Sequence, residues 1–131
     1  MLKINLHKTF KTRQRITEVN CEAQFELGIT SAIYGKSGVG KSTVLRMIAG
    51  LEKADSGIIQ FNDEVWFDEN KKVNMPIPGR NIGFVFQDFN LFPNMTVEGN
   101  LKYASGSGKV ISKETLHLME VTALTKLLKS Y

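Results

Sequence analysis

Cysteine and long apolar runs are scarce in this sequence of 131 residues. Cys21 is the single cysteine, so no disulfide can form within the chain and a reducing compartment suits it. Its alternating segment, 19–25, indicates a small buried hydrophobe rather than a nucleophile. No stretch approaches the roughly 20 apolar residues of a membrane span, and the N-terminus lacks the apolar run of a signal peptide. We therefore expect a cytoplasmic chain that reaches a membrane only through a partner.

The charge balance is mildly basic, with 17 Lys and Arg against 13 Asp and Glu. The sequence has no run of Lys and Arg and no basic stripe interleaved with aromatic residues, so we expect no nucleic-acid partner. A hydrophobic fraction of 42% and a charged fraction of 23% are ordinary for a globular protein. The length fits one domain or part of a larger one.

Strands are predicted from the spacing of apolar side chains. Alternation predicts half-buried strands over 2–7 and 16–25, joined by a polar loop from Thr9 to Arg15. A second hairpin is predicted over 57–67, with Asn62 and Asp63 at its turn. Two more continuously apolar runs, 29–34 and 81–86, are typical of strands buried on both faces of a parallel sheet. Before the second of these runs, Pro76 and Pro78 predict an extended stretch.

Helices are predicted mainly in the second half of the chain. One helix begins at Ser42 and stops at Gly50, a favourable C-terminal glycine. Another begins after Thr96, whose hydroxyl can cap it, and runs through Tyr103. Further along, the sequence predicts a flexible break at 105–108 and two short helices, 112–120 and 123–130, the second with Thr122 as its cap.

Residues 35–42 read Gly-Lys-Ser-Gly-Val-Gly-Lys-Ser and match G-x-x-x-x-G-K-[ST], a loop that wraps nucleotide phosphates. Successive N–H groups of such a loop form an anion-binding nest, and the following helix adds the partial positive charge of its N-terminus. Gly38 and Gly40 permit a close approach that a Cβ would block. Lys41 is expected to contact the β- and γ-phosphates, and the Ser42 hydroxyl to coordinate Mg²⁺. The candidate nucleotide-binding residues are Gly35, Lys36, Ser37, Gly38, Val39, Gly40, Lys41, Ser42 and Thr43.

The loop alone does not distinguish kinases, GTPases and ATPases, whereas four further segments do. They are Ile-Ala-Gly-Leu at 48–51, Ser-Gly-Ile at 56–58, Ile-Gly-Phe-Val-Phe-Gln-Asp at 82–88 and Leu-Phe-Pro-Asn-Met-Thr-Val at 91–97. In this order and spacing, the chain resembles the ATP-binding subunit of ABC transporters, importers above all, with ATP and Mg²⁺ as cofactors. Within the family, residues 78–83 and 97–103 look most like the molybdate importer's ATPase.

The resemblance implies an α/β fold, that of a P-loop NTPase with a RecA-like ABC ATPase core. An N-terminal antiparallel β subdomain and the start of a helical subdomain would accompany an incomplete core sheet. Residues 1–131 would then be the N-terminal part of an ABC ATPase domain, with 1–88 as the β-rich P-loop core and 89–131 as the start of the helical subdomain.

The resemblance also assigns roles outside the loop. Gln87 corresponds to the Q-loop glutamine, which would bind Mg²⁺ and the attacking water and report the γ-phosphate to the membrane partner; an uncharged amide suits both contacts. Phe10 lies near the point where the family stacks an aromatic ring on adenine. The apolar residues just past the glutamine would either receive a helix of the membrane subunit or pack the helical subdomain: Phe89, Leu91, Phe92 and Met95.

Several elements that the family carries are absent from these 131 residues: the Leu-Ser-Gly-Gly-Gln signature, an apolar strand ending in Asp, a catalytic Glu and a switch His. We therefore expect the chain alone to bind ATP without efficient hydrolysis, because phosphoryl transfer depends on positioned groups. In the family fold, two further strands lie in the sheet between the strand at 29–34 and the strand at 81–86, and both are missing from these residues. The resulting apolar edges predict an oligomer, a swapped arrangement or a rearranged sheet.

Three functions remain open at this point. The first is the ATP-binding subunit of an importer for molybdate or another oxyanion, which would form a homodimer and bind a transmembrane permease at the cytoplasmic face of the membrane. The second is an ABC ATPase without a transport role, such as a chromosome-associated machine or a translation factor. The third is a short nucleotide-binding protein with no enzymatic activity. The segment 91–97 favours the first.

Overall fold

A computed structural model describes residues 1–13, 15–88, 90–105, 111, 113–122 and 124–130. The chain divides into two compact units, Met1–Phe84 and Val85–Tyr131. The division of the chain into functional subdomains at 88/89 stays a prediction.

The first unit is built on a five-stranded antiparallel sheet in the order β2-β1-β3-β4-β5. Both predicted hairpins are confirmed. The first is longer than expected, because Lys8 to Lys11 continue β1 in register with β2 and the turn closes through Thr12 N–H donating to Arg15 O at 2.9 Å. The strands are β1 Leu2–Lys11, β2 Ile16–Phe25, β3 Ser56–Phe61, β4 Glu64–Asp68 and β5 Val73–Asn74.

Helix α1, which spans Lys41–Ala49 as predicted, packs on this sheet. It ends at Gly50, whose positive φ of 78° turns the chain out of the helix. Val44 and Met47 on its buried face meet the apolar face of the strands. The buried core of this unit consists of Ile4, Leu6, Val19, Val44, Met47, Ala54, Ile59, Trp66 and Phe67. Its position between α1 and the sheet fixes where α1 begins.

The two predicted parallel-type strands are not formed. Neither 29–34 nor 81–86 is a strand, and Tyr34 is 90% exposed. A strand requires ladder partners for its backbone groups, and in the described part of the chain neither run joins the sheet. The continuous apolar character of these runs is typical of buried strands, but the described residues do not bury them in this way.

The stretch after Pro76 is also different from the prediction. Pro76 itself is extended, with φ −64° and ψ 153°, but Ile77–Arg80 forms the short helix α2. Pro78 lies in the first turn, where its missing N–H would have no helical acceptor, so it does not oppose the helix.

The described residues of the second unit form two helices and a 3-10 turn. Helix α3 spans Val97–Ala104, and the Thr96 hydroxyl accepts from Gly99 N–H at 3.1 Å, which confirms the predicted cap. Helix α4 spans Lys113–Val121, and a 3-10 turn covers Leu124–Leu127. The predicted Thr122 cap is wrong: its N–H and hydroxyl donate to Leu118 O at 2.9 and 2.7 Å and so close α4. Of the predicted break at 105–108, residues 106–108 lie outside the described part.

Asp55, which directly precedes β3, contacts β1 and makes the stability of the fold depend on pH. Its Oδ2 accepts from Thr9 N–H at 2.8 Å, and Lys8 Nζ lies 3.3 Å from Oδ1. The Thr9 N–H bond, helped by Lys8, lowers the pKa of Asp55 below its ordinary value of 3.8. A carboxyl group whose pKa is lowered by folding stabilises the protein at pH values above its pKa in the unfolded chain. This contribution disappears as the pH falls through its pKa in the folded chain.

We therefore expect Asp55→Asn to lower the unfolding temperature at pH 6 and this difference to shrink as the pH falls below 3.8, because protonation progressively weakens the contacts of the carboxylate in the unsubstituted chain. Thermal unfolding followed by circular dichroism across this range measures the effect. Asp63→Asn, in the exposed β3–β4 turn, is the matched control. A constant difference between Asp55→Asn and the unsubstituted chain at all pH values would contradict the assignment.

Candidate functional site

The glycine-rich loop is held in place by the sheet. Residues 35–39 are exposed, and the loop meets α1 at Gly40, the N-cap residue, with φ 104°. A Cβ built on Gly40 would lie 2.5 Å from Val19 Cγ2 of β2. Only a residue without a side chain allows the loop to come this close to the strand. The glycine therefore sets the position from which the helix starts.

The start of α1 presents backbone donors. The first helical bond runs from Val44 N–H to Gly40 O at 2.9 Å, so the amides of Lys41, Ser42 and Thr43 precede it and have no acceptor within the helix. Gly40 has no side chain with which to cap them, and the first turn contains no acidic residue. Uncapped amides at the positive end of a helix dipole favour an anion.

Lys41 bridges the two ends of the loop. Its ammonium donates to Gly35 O and to Lys36 O, both at 2.8 Å. The positive charge of Lys41, the first residue of α1, is thereby placed over the start of the loop. These contacts use two of the three donors of the ammonium, which leaves one for an external acceptor. The combination of this cation with the first-turn amides fits a phosphate group.

An apolar cavity of about 460 Å³ adjoins the loop on the α1 side. Lys41 and Ser42 form its polar rim next to the loop, and Glu26 and Ser31 are the other polar residues of its wall. The remaining wall is apolar: Leu2, Phe25, Ile29, Ile33, Leu45 and Ile48. Sequence reasoning did not find this cavity, because its walls come from three separate segments. The chemistry of the wall does not fit a phosphate chain, so we assign the phosphates to the loop and helix start.

The other sequence-predicted candidates are Phe10 and Gln87. Phe10 is in strand β1 rather than in a polar loop; it packs half-buried against the core, with Lys8 Nζ 5.7 Å from its ring centre. Gln87 is an exposed residue of the second unit, and the loop belongs to the first. The adenine-stacking role of Phe10 and the metal- and water-binding role of Gln87 stay predictions.

The apolar cluster past Gln87 is partly described. The Phe92 ring meets the Tyr103 ring of α3 edge to face, with centres 4.7 Å apart. The Asn100 side chain accepts from Phe92 N–H at 2.8 Å and donates to Phe92 O at 3.1 Å. Leu91 is exposed, and Phe89 lies outside the described residues. Phe92 therefore packs its own unit, whereas Leu91 faces outward.

Sequence reasoning missed Arg80. Its side chain is 4% exposed and lies at the end of α1 opposite to the loop. An arginine between Gly79 and Asn81 carries no local signal of burial, since burial depends on contacts with Met47 and Ile48, more than 30 positions earlier.

Together, a β-rich unit, a phosphate-type loop and the helix that follows it define a nucleotide-binding domain. The model of the ABC transporter family matches residues 19–130. This chain belongs to that family.

Named relatives refine the comparison. The molybdenum import ATP-binding protein ModC of Aliivibrio fischeri is 48% identical over 94 residues, which cover 72% of this chain and 24% of that protein. The ModC protein of Haemophilus influenzae is 37% identical over 131 residues, which cover the whole of this chain and 36% of that protein. The chain thus spans between a quarter and about a third of the length of these curated relatives.

The fold comparison agrees. The dimeric, post-hydrolysis structure of the ATP-binding cassette MJ0796, bound to ADP and Pi, superposes with a TM-score of 0.73 at 28% identity. The match covers 98% of this chain and 60% of that one. The fold class is therefore the α/β P-loop NTPase fold of ABC ATPase cassettes. In the described part of the chain, no helix has the length and apolar character needed to span a membrane.

Proposed function

We propose that this chain is part of the ATP-binding subunit of an ABC importer, which couples the binding and hydrolysis of ATP to uptake of molybdate or another oxyanion. The observation that carries the nucleotide-binding part is the bridge from Lys41 to Gly35 O and Lys36 O above the uncapped start of α1. The names of the ModC relatives support the importer and its cargo.

The residues of the loop and of the start of α1 have different roles in binding Mg-ATP. The first-turn amides of α1 donate to the phosphate oxygens, and Lys41 supplies a full positive charge to the β- and γ-phosphates. The Ser42 hydroxyl, exposed on the first turn, is suited to hold Mg²⁺. When bound, the metal neutralises charge on the phosphate oxygens. Thr43, next along the turn, faces the α-phosphate side.

Coupling is assigned to the second unit. Gln87 would hold Mg²⁺ and the attacking water through its side-chain amide and would pass γ-phosphate occupancy to a transmembrane permease. The permease binds near the exposed residues that follow, Leu91 above all. Two ATPase subunits pair in the working importer, at the cytoplasmic face of the membrane; the dimeric MJ0796 structure supports this arrangement.

Hydrolysis needs more than these residues supply. The 131 residues contain no carboxylate that the family resemblance assigns to water activation, so the chain alone binds ATP without efficient turnover. We keep the division into a P-loop core, 1–88, and the start of a helical subdomain, 89–131. For the isolated chain we propose self-association, supported by the exposed apolar residues Ile29, Tyr34 and Val85.

Molybdate uptake tests the importer. Disruption of the gene that encodes this chain is expected to reduce cellular molybdenum, measured by mass spectrometry after growth in molybdate. The unsubstituted gene is expected to restore it. Gln87→Ala is expected to fail while Mg-ATP binding persists, whereas Gln24→Ala, an exposed glutamine of β2, serves as the control and restores uptake. Unchanged accumulation of molybdate and of sulfate after disruption would overturn the importer proposal, and restoration by Gln87→Ala would overturn the coupling role.

A further inference from the structure

Arg80 is a buried cation whose partners are all neutral. Its guanidinium donates to Met47 O at 2.9 Å and Ile48 O at 2.6 Å through Nη1, to Met75 O at 3.2 Å through Nε and to Asn74 Oδ1 at 3.2 Å through Nη2. Among the described residues, none with a carboxylate forms an ion pair with it. Burial lowers the pKa of this guanidinium. Burial of a charge without an opposite charge is unfavourable. The contacts of Arg80 with these neutral acceptors therefore require a structural reason.

The Arg80 contacts lie at the C-terminal end of α1. Met47 and Ile48 belong to the last turn, where the helix dipole is negative and the carbonyls lack the i+4 amide donors of a continuing helix; Met47 O also accepts from Gly50 N–H at 3.1 Å. Gly50 lies directly against the guanidinium, since a Cβ there would be 3.0 Å from Arg80 Cζ. The Trp66 ring centre is 5.9 Å from Cζ on another side. The guanidinium thus adds side-chain donors to the carbonyls of a helix end that Gly50 N–H also caps.

The other end of the same helix is the phosphate-binding end. Helix α1 has nine residues, so its ends are separated by about 13 Å at a rise of 1.5 Å per residue. Lys41 and Gly40 anchor the first end, and Arg80 anchors the last turn to residues 74–75. A helix held at both ends has a defined direction, which determines where its first-turn amides point.

We propose that Arg80 is a positioning residue for the phosphate loop, because it fixes the direction of α1 through the carbonyls of Met47 and Ile48. This inference rests on the proposed nucleotide-binding function. The fork of the guanidinium is essential to it: one nitrogen contacts α1 while the other two contact residues 74–75. A lysine has a single point of donation and cannot span both sides.

The test compares two variants that lose the α1 clamp with one that keeps it. Arg80→Lys keeps the charge and loses the fork, and Arg80→Ala leaves a space for added guanidinium. Ile59→Val lowers stability from within the core and leaves the hydrogen-bond partners of Arg80 in place. For each variant, Mg-ATP affinity is measured by calorimetry, amide exchange over 41–44 by hydrogen–deuterium mass spectrometry, and unfolding temperature by circular dichroism.

Arg80→Lys is expected to weaken Mg-ATP binding about 10-fold, since small misplacements of positioned groups have effects of this size or larger, and to accelerate exchange over 41–44. Millimolar guanidinium is expected to restore Arg80→Ala, with sodium chloride as the salt control. Ile59→Val is expected to change neither property.

Equal effects of Arg80→Lys and Ile59→Val at a matched loss of unfolding temperature would overturn the proposal, since Arg80 would then act through global stability alone. Normal exchange over 41–44 in Arg80→Lys would also overturn it. If the unsubstituted chain bound no Mg-ATP, the proposed function would fail, and the exchange measurement would still decide the role of Arg80.

Discussion

Lys41→Ala is expected to weaken the binding of Mg-ATP roughly 100-fold. The substitution removes the only full positive charge that bridges the loop through described hydrogen bonds and leaves Gly35 O and Lys36 O without their donor. Hydrogen bonds to charged groups contribute about 1.5–3 kcal/mol each, and about 2.7 kcal/mol corresponds to a factor of 100 in Kd. Isothermal titration calorimetry with Mg-ATP measures the change.

Lys36→Ala is the matched control. It removes a lysine side chain from the exposed part of the same loop and keeps the Lys36 carbonyl that Lys41 contacts. We expect this variant to bind Mg-ATP within a few-fold of the unsubstituted chain. An equal loss in both variants would mean that the loop acts through its general charge and not through the placement of the Lys41 ammonium. Unfolding temperatures of both variants show whether the fold is retained.

Gly40→Ala is expected to weaken Mg-ATP binding and to lower stability together. Its Cβ would lie 2.5 and 2.8 Å from the two methyl groups of Val19, and its φ of 104° is unfavourable for any residue with a side chain. The left-handed conformation alone costs roughly 1–2 kcal/mol, and the overlap with Val19 pushes the loop away from the sheet. Thermal unfolding and Mg-ATP calorimetry measure the two effects.

Gly38→Ala separates the effect of the left-handed backbone conformation from the effect of the steric overlap with Val19. Gly38 also has a positive φ, 77°, but nothing lies within 4 Å of a Cβ built there. We expect it to be less destabilising than Gly40→Ala. Val19→Ala combined with Gly40→Ala is expected to recover part of the Mg-ATP affinity, because the smaller side chain makes room for the new Cβ. Indistinguishable effects at the two glycines would show that the contact with Val19 does not position the loop.

Short-range features could be predicted from the sequence. The hairpin of β3 and β4, the helix ended by Gly50 and the Thr96 cap all depend on residues within a few positions of one another. The wrong predictions share a different cause. The runs 29–34 and 81–86 have the composition of buried strands, but a strand also requires neighbours, and composition says nothing about whether a chain supplies them.

The sequence by itself determined the phosphate loop, its helix and the family, because these depend on residue types at fixed spacing. Only the tertiary structure decided that Gly40 touches Val19, that Lys41 bridges the loop and that Arg80 is buried at the far end of α1. Such contacts join positions separated by up to 33 residues. They exist because the sheet and α1 bury a common apolar core, and the sequence pattern of any one segment does not encode which distant residue it will meet.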